Sequence, residues 1–505
     1  MDIFSGIIGG FTQLMNPLIL FYCFMGVLIG TLVGVLPGIG PIGAMSMLLP
    51  ATFGMSPVAS IIVLAGIYAG ANYGGSTTSI LVNVPGEAAS VITCLDGYQM
   101  ARKGRAGVAL GMSALGSFIG GTVSVVALQF LVFPLANTAL KFGPPEFFAL
   151  MFLGLILLTY LTRGSIIDGF LMVIIGLLIG IVGMDPITGK ERFVFGVATL
   201  LDGIGLIPVA MGMFGVAEVF FGLETAITRS VLSQKIKNLL PTREDWKRSA
   251  LPITRGSLIG FIAGIIPGAG PVMSSFISYA TEKKLSKHPE EFGKGAVEGV
   301  AGPETANNAA VSGAFVPLLA LGIPPSASMG LLVGALMIHG VTPGPMLMIQ
   351  HPDIFWGVIA SMYIGNVMLV VLNLPLIGIW VQVLKIPAKT LLPVILLCCM
   401  IGAYANKSNN VEVITMIAFG VVGYILRKLK YELAPLVMAL VLGPLLEANF
   451  RNSLTLSHGS FGIFFTRPIS LTVITIALFL LASTGFKFYR KTKTKVEEET
   501  EDEGG

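Results

Sequence analysis

Long apolar segments succeed one another along almost the whole chain. The first runs from Pro17 to Phe53 without a charged residue, and similar segments recur as far as residue 486. Because about 20 apolar residues let a helix cross a ~30 Å hydrocarbon core, the pattern predicts an all-α polytopic membrane protein. The apolar runs are continuous and do not alternate with polar residues, which excludes a β-barrel. Composition agrees, since 54% of the residues are hydrophobic and only 11% are charged.

The second half of the chain repeats motifs of the first half in the same order. The segment GTLVGVLPGIGP (30–41) returns at an offset of 230 residues as GFIAGIIPGAGP (260–271). Further on, AGANYGGSTTS (69–79) corresponds to AGPETANNAAVS (301–312), and VPGEAAS (84–90) corresponds to IPPSAS (323–328). Three matches in one order indicate an internal duplication.

Loop charges predict that the two repeats are inverted in the membrane. The loop 53–57 has no charge, whereas its counterpart 281–295 has four lysines. The next pair reverses this: 96–107 is basic, and 339–352 has no Lys or Arg. Since cytoplasmic loops are enriched in Lys and Arg, equivalent loops fall on opposite sides. Inverted-topology repeats are typical of secondary transporters, whose sites lie near the midplane at interrupted helices.

These patterns divide the chain into five segments and predict about eleven crossings. Segments 17–53 and 250–280 each start and end on one side, which predicts two re-entrant hairpins with P-G-x-G-P at their tips. The stretches 57–95 and 296–338 are too long for one straight span, so each is expected to be a broken helix. The predicted segments are a first inverted repeat (1–222), a basic cytoplasmic linker (223–255), a second inverted repeat (256–449), a final loop and transmembrane helix (450–486), and a charged cytoplasmic tail (487–505).

The glycines of the hairpin tips are candidate anion ligands. Residues 38–43 form a G-x-G-x-x-G, but the apolar surroundings and the flanking prolines do not fit a dinucleotide-binding turn. A helix that starts at such a tip has free N–H groups and a partial positive charge, which suit a carboxylate. We therefore expect Gly38, Gly40, Gly268 and Gly270 to bind substrate. The alternative is that these glycines only permit tight packing or a kink.

Two polar stretches, 72–79 and 303–312, are expected to be unwound and to present hard oxygen ligands for Na⁺. Glu304 is the strongest candidate there, as a cation ligand or a proton carrier, because intramembrane acids are functional by default. The alternative for the polar stretches is hydrogen bonding between helices, and the alternative for the nearby Glu87 is a position close to an interface. The predicted cation ligands are Asn72, Thr78, Glu304, Thr305, Asn307 and Asn308, and the predicted additional substrate ligands are Ser76, Thr77, Ser326 and Ser328.

These segments resemble the large membrane subunit of tripartite tricarboxylate transporters. The resemblance rests on PGIGP, on GGSTTSILVNVPGEAAS, and on the long block from IPGAGP (266–271) to GVTPGP (340–345), and it covers most of the chain. It implies binding-protein-dependent uptake of citrate or a related carboxylate across a bacterial inner membrane, driven by Na⁺ or H⁺. It also implies two partners, a small membrane subunit and a periplasmic substrate-binding protein.

The residues therefore predict a Na⁺-coupled carboxylate permease with alternating access and a cytoplasmic C-terminus. Proton coupling and a passive anion channel stay open as alternatives. An enzyme is not expected, because the four histidines are scattered and no H-E-x-x-H motif is present. No organic cofactor, no metal other than Na⁺ and no nucleic acid are expected as ligands.

Overall fold

The computed structural model describes residues 3–36, 39–160, 165–185, 187–224, 238–384, 386 and 388–483. Gly38, much of the predicted linker and the predicted tail lie outside these residues. Contacts divide the chain into two compact units, residues 1–140 with 204–429, and residues 141–203 with 430–505. Each unit takes segments from both predicted repeats.

Unit 1 consists of helices joined by short turns. Its helices are α1 (Ile3–Leu14), α2 (Pro17–Val35), α3 (Gly40–Leu48), α4 (Pro57–Val82), α5 (Val91–Met100), α6 (Ala106–Ala139), α9 (Leu206–Ala210), α10 (Ala217–Glu224), α11 (Arg243–Ile265), α12 (Gly270–Leu285), α13 (Glu298–Gly313), α14 (Phe315–Leu321), α15 (Ala327–Ile338), α16 (Leu347–Gln350), α17 (Pro352–Asn373), α18 (Ile377–Val383), α19 (Ala388–Lys407) and α20 (Asn410–Lys428). Short 3₁₀ or π turns cover Leu49–Thr52, Ala88–Ser90, Ala101–Arg105, Met211–Val216 and Pro289–Glu291.

Glycine packing repeats in the two halves of unit 1. Three glycines at a spacing of four residues pack α2 against α4, and three more pack α11 against α13. The helices are so close that a Cβ added to any of these glycines would lie less than 3 Å from a backbone carbonyl oxygen. The contacts between α2 and α4 are Gly26 with Val63, Gly30 with Ile67, and Gly34 with Ala71. The contacts between α11 and α13 are Gly256 with Gly302, Gly260 with Ala306, and Gly264 with Ala310.

Residue numbers rise together in both pairs, so α2 is parallel to α4 and α11 is parallel to α13. The chain between parallel helices must turn back, and α3 and α12 provide the return. The reversals occur at the P-G-x-G-P segments, where α2 ends at Val35 and α11 ends at Ile265. This geometry fits the predicted re-entrant hairpins, but the hairpins and their depth in a membrane both stay predictions.

The helices in the stretches 57–95 and 296–338 are interrupted, as predicted, but not at the polar residues. α4 is continuous over 72–79, and α13 is continuous over 303–312, so the prediction that these stretches are unwound is wrong. The breaks follow them, at 83–87 and 322–326, where the proline-containing motifs stand. A proline removes a backbone donor and disfavours helix in the preceding residue, so the prolines mark these breaks. Serine, threonine and asparagine stay in the helix because their side chains bond to backbone carbonyls.

The returning helices bring the two halves together. α3 packs against α15, which follows the second break, and α12 packs against α5 and the Ala88–Ser90 turn, which follow the first break. The N–H of Gly268 also donates a hydrogen bond to the carbonyl of Pro325 at 3.0 Å, joining the second tip to the second break. Each half therefore supports the interrupted element of the other.

Charged segments assigned to one side of the membrane do contact one another in unit 1. Arg105 pairs with Asp245, which joins the basic loop 96–107 to the start of α11. The Lys103 ammonium donates to the carbonyl of Lys294 at 2.6 Å, joining the same loop to 281–295. These contacts support a common side for the three basic segments.

Unit 2 is a smaller helical unit with a short β-hairpin. Its elements are α7 (Pro144–Tyr160), α8 (Ile166–Gly180), β1 (Gly183–Met184), β2 (Glu191–Arg192), a turn at Ala198–Leu200, α21 (Ala434–Leu456), α22 (Ile463–Thr466) and α23 (Pro468–Ser483). The strands pair antiparallel, with Gly183 opposite Arg192.

Ion pairs fix this hairpin on α21. Arg192 bonds to Asp185 at 2.6 Å and to Glu447 at 2.8 Å, and Arg451 bonds to Asp185 at 2.9 Å. The Thr188 hydroxyl, together with the Ile187 N–H and the two guanidinium groups, holds the pKa of Asp185 well below its usual range. Glu447 therefore has a structural role on α21.

Among the described residues, seven helices are long and apolar enough to cross a membrane, and six shorter apolar helices accompany them. The chain is thus an all-α multi-pass membrane protein, and its described residues include a short β-hairpin of two strands with two residues each. The inverted orientation of its repeats stays a prediction.

The glycine contacts make a stability prediction. Gly30→Ala places a methyl group against the carbonyl and Cα of Ile67, so we expect a loss of about 1–3 kcal/mol, as for other overpacked sites. The measurement is the thermal transition of purified protein in detergent. Gly9→Ala is the control, because a Cβ at this exposed position of α1 meets nothing within 4 Å. Equal transitions for the two variants would contradict the close packing.

Candidate functional site

The buried carboxylate of Glu304 lies at the centre of a cluster of hydroxyl groups in unit 1. Glu304 is on α13 and is 1% exposed. The Ser76 hydroxyl on α4 donates to Oε2 at 2.7 Å, and the Thr93 hydroxyl on α5 donates to Oε1. Ser113 on α6 provides a third hydroxyl partner. Four helices from both halves therefore meet at one carboxylate.

One face of α13 continues the cluster, since Glu304, Asn307 and Asn308 are three and four residues apart. The amide of Asn308 donates to the Ser117 hydroxyl at 2.8 Å and to the Glu304 carbonyl at 3.2 Å. Ser117 in turn donates to the same carbonyl at 3.3 Å. This network holds Asn308 and the Glu304 backbone in place against α6.

Asn307 connects this cluster to a second buried carboxylate. Its amide nitrogen donates to the backbone carbonyl of Asn72 at 3.2 Å and to Glu87 Oε1 at 3.5 Å. Its Oδ1 atom is buried and has no hydrogen-bond partner within the part of the chain that is described. Glu87 is 7% exposed, so it is buried within the protein, and its position close to a membrane interface stays an open alternative. An unpartnered amide oxygen on the helix that bears Glu304 is a suitable ligand for a cation.

The two buried carboxylates lack a basic partner among the described residues. Within the described ranges, no Lys or Arg forms an ion pair with Glu304 or Glu87. An isolated ionised carboxylate is strongly disfavoured in a low-dielectric interior. Such a group therefore carries a proton or binds a cation, and hydroxyl, amide and carboxylate oxygens supply suitable ligands for either.

The glycine tips have the backbone conformation that the motif predicts. Gly40, Gly268 and Gly270 have φ of +64°, +82° and +47°, which only glycine adopts at low cost. A Cβ at Gly40 or Gly270 would meet nothing within 4 Å, so space is open beside the first residues of α3 and α12. Gly38 lies outside the described residues.

The last residue of each break caps the helical element that follows it. Glu87 caps the turn that follows the first break by accepting from the Ala89 N–H, and Ser326 caps α15 by accepting from the Met329 N–H at 3.4 Å. Ser328 is buried in the first turn of α15. Capping occupies Ser326 in part, and a role of either serine in binding substrate stays a prediction.

Several predicted ligands are engaged elsewhere. The Thr78 hydroxyl donates to the Val35 carbonyl at 2.6 Å and joins α4 to α2, and the Thr305 hydroxyl donates to the Ala301 carbonyl at 2.7 Å. The Asn72 amide donates to the Tyr68 carbonyl at 2.8 Å, and only its backbone carbonyl reaches Asn307. Thr77 is buried beside Ser76. The structure therefore gathers Ser76, Glu304, Asn307 and Asn308. A role of Thr78 and Thr305 as cation ligands stays a prediction, because a hydroxyl that donates its proton keeps its oxygen lone pairs.

Sequence reasoning missed three hydroxyl residues of the cluster, Thr93, Ser113 and Ser117. A signal for two of them exists, because Ser113 and Ser117 are one helical turn apart in an otherwise apolar segment and must share a face. Thr93 has no comparable signal in the sequence.

Comparison with known proteins identifies the family of this chain. The family model described as "Tripartite tricarboxylate transporter TctA family" matches residues 20–438. The chain is 50% identical over 496 residues to an uncharacterized 52.8 kDa protein in the TAR-I ttuC' 3' region of Agrobacterium vitis, covering 98% of this chain and 99% of that protein. It is 49% identical over 219 residues to an uncharacterized protein in the TAR-II ttuC' 3' region of the same organism, covering 43% of this chain and 90% of that protein. No solved structure matches.

The contact between Ser76 and Glu304 can be tested by a double-mutant cycle. A hydroxyl that donates to a buried carboxylate contributes about 1.5–3 kcal/mol, so Ser76→Ala and Glu304→Gln should be strongly non-additive in unfolding free energy. The control cycle pairs Glu304→Gln with Thr52→Ala, whose hydroxyl bonds to Leu49 within its own turn. Additive effects in the first cycle would mean that the two side chains do not interact.

Proposed function

This chain belongs to the tripartite tricarboxylate transporter TctA family, and on that premise we propose that it is the permease subunit of a carboxylate symporter coupled to Na⁺. In this proposal it forms the translocation path of a secondary transporter in a bacterial inner membrane. A periplasmic substrate-binding protein delivers the carboxylate, and a small membrane subunit completes the complex. The C-terminus is cytoplasmic.

The observation that carries the proposal is the buried carboxylate without a basic partner. Glu304 is surrounded by hydroxyls, and Asn307 holds an unpartnered amide oxygen close to it on the same helix face. A Na⁺ ion bound among these oxygens neutralises Glu304. It also adds positive charge to an interior in which no Lys or Arg pairs with these acids, and this charge favours a substrate carboxylate. Cation and substrate then bind more tightly together than alone, as symport requires.

The substrate carboxylate is proposed to bind where helices start beside the breaks. The first residues of α3, α12 and α15 supply free backbone N–H groups, and the open space at Gly40 and Gly270 allows close approach. Ser76, Thr77, Ser326 and Ser328 supply additional donors. The hydroxyl of Ser76 contacts Glu304, so substrate and cation share this side chain.

Alternating access is proposed to follow from the duplicated architecture. The two parallel helix pairs and the two returning helices repeat the same arrangement in each half. Inverted repeats of this kind expose one site to each side in turn. Both an elevator movement and a rocking movement are compatible with this arrangement.

Proton coupling is a second candidate, and one observation favours it. Glu304 lies three residues before Asn307 on α13, and the side-chain amide of Asn307 donates to Glu87. Two buried carboxylates are therefore available, and a proton can replace Na⁺ on either of them. In that case Glu304 carries a proton with the substrate, and a pH gradient replaces the sodium gradient as the driving force.

The proposal is tested by uptake into proteoliposomes that contain this chain, its small membrane subunit and the cognate binding protein. Radiolabelled citrate and succinate are supplied in parallel, with and without an inward Na⁺ gradient. We expect Glu304→Gln and Asn307→Ala to lower the Na⁺-driven initial rate on the order of tenfold or more, because each removes a hydrogen-bonded cation ligand. Glu290→Gln is the matched control, because this carboxylate is 65% exposed.

The outcomes separate the candidates. Uptake that needs both the Na⁺ gradient and the binding protein, and that fails in the two site variants, supports the proposal. Uptake that ignores Na⁺ but follows a pH gradient overturns Na⁺ coupling in favour of a proton. Passive flux without the binding protein overturns symport and favours an anion channel.

A further inference from the structure

A polar cleft separate from the Glu304 cluster lies between the beginning of α11 and the end of α12. It has a volume of about 850 Å³. Basic side chains dominate its lining: Arg243, Lys247, Arg248, Arg255, Lys287 and His288. None of them belongs to the Glu304 cluster, so this cleft needs a separate explanation.

Part of this charge is neutralised by neighbouring acids. Arg248 bonds to Glu298 at 2.7 Å, and Arg255 bonds to Glu282 at 2.9 Å. Within the ranges that the structure describes, Arg243, Lys247 and Lys287 form no ion pair, and Glu244 is the one lining carboxylate that forms none. Three free cations against one free carboxylate leave the cleft positive, and it therefore suits an anion.

An exposed apolar row continues from the cleft along α11. Leu251 and Leu258 are 65% and 62% exposed, and Ile262 is 49% exposed. Together with Lys247 these residues lie at helical spacing on one face of α11. The Lys247 ammonium is near the N-terminus of the helix, and the apolar side chains follow toward its C-terminus. On α12, Leu285 lines the cleft, and Ile277 lies two turns before it on the same helix. Both side chains are exposed.

We propose that this cleft binds the headgroup of an anionic phospholipid whose acyl chains lie along the apolar row. The phosphodiester contacts Lys247, Lys287 and Arg243, because basic clusters at the ends of membrane helices attract anionic headgroups. The acyl chains cover Leu251, Leu258 and Ile262. Loop charges predict that this end of α11 is cytoplasmic, which makes the lipid one of the inner leaflet.

The apolar row favours a lipid over a soluble phosphate compound. Inorganic phosphate or glycerol 3-phosphate would satisfy the cations but would make no contact with the exposed apolar row that continues from them. A phospholipid matches both features in the order in which they occur along the helix. The site is independent of Glu304 and does not depend on the transport proposal.

Native mass spectrometry of the full-length protein in detergent tests the proposal, with dioleoyl phosphatidylglycerol, dioleoyl phosphatidylcholine and glycerol 3-phosphate as separate probes. The charge variant is Lys247→Gln with Lys287→Gln, and its matched control is Lys141→Gln with Lys190→Gln, two lysines outside the cleft. The apolar variant is Leu258→Ser with Ile262→Ser. All these side chains lie on the surface or partly on it, so the variants should fold.

We expect phosphatidylglycerol to bind more tightly than phosphatidylcholine, and the charge variant to weaken that binding at least about tenfold while the control does not. The apolar variant should also weaken phosphatidylglycerol binding. Equal binding of the two lipids, or no change in the charge variant, overturns the proposal. Glycerol 3-phosphate that binds as tightly as the lipid overturns it in favour of a soluble anion.

Discussion

The burial of Glu304 without a basic partner is the constraint on which this structure depends. A charge in a membrane interior costs several kcal/mol unless something compensates it. Here hydroxyls from α4, α5 and α6 surround the carboxylate, and the nearby amides of Asn307 and Asn308 are fixed by their own hydrogen bonds. Hydroxyls stabilise either protonation state, since they can donate or accept. The cluster thus suits the cycle proposed above, in which the charge of Glu304 changes or is neutralised.

Close helix packing makes this polar interior possible. In lipid, helices gain little from burying apolar surface, so small residues that allow backbone contact decide which helices associate. The glycine rows of α2 and α11 bring α4 and α13 close enough for their polar faces to be shielded from the bilayer. The interruption at 83–87 then ends α4 and places Glu87 within reach of the Asn307 amide.

Much of this organisation could be predicted from the sequence. The glycine and proline spacing predicted turns at the P-G-x-G-P segments, next to the observed helix ends at Val35 and Ile265. The motifs VPGEAAS and IPPSAS were recognised as a repeated element but not as the breaks. The unwinding of 72–79 and 303–312 was predicted wrongly, because polarity alone does not break a helix whose hydroxyls can bond to its own carbonyls. Thr93 was missed because its contact with Glu304 joins residues 211 positions apart. Such a contact depends on how helices pack, and no local pattern encodes it.

The most direct test of the central claim is equilibrium binding of radiolabelled Na⁺ to the purified protein at a fixed neutral pH. The account predicts saturable binding that excess unlabelled Na⁺ displaces, that carboxylate substrate strengthens, and that Glu304→Gln abolishes while Glu290→Gln retains it. Absence of saturable binding in the native protein, or undiminished binding in Glu304→Gln, would contradict the claim that this buried carboxylate holds the coupling cation.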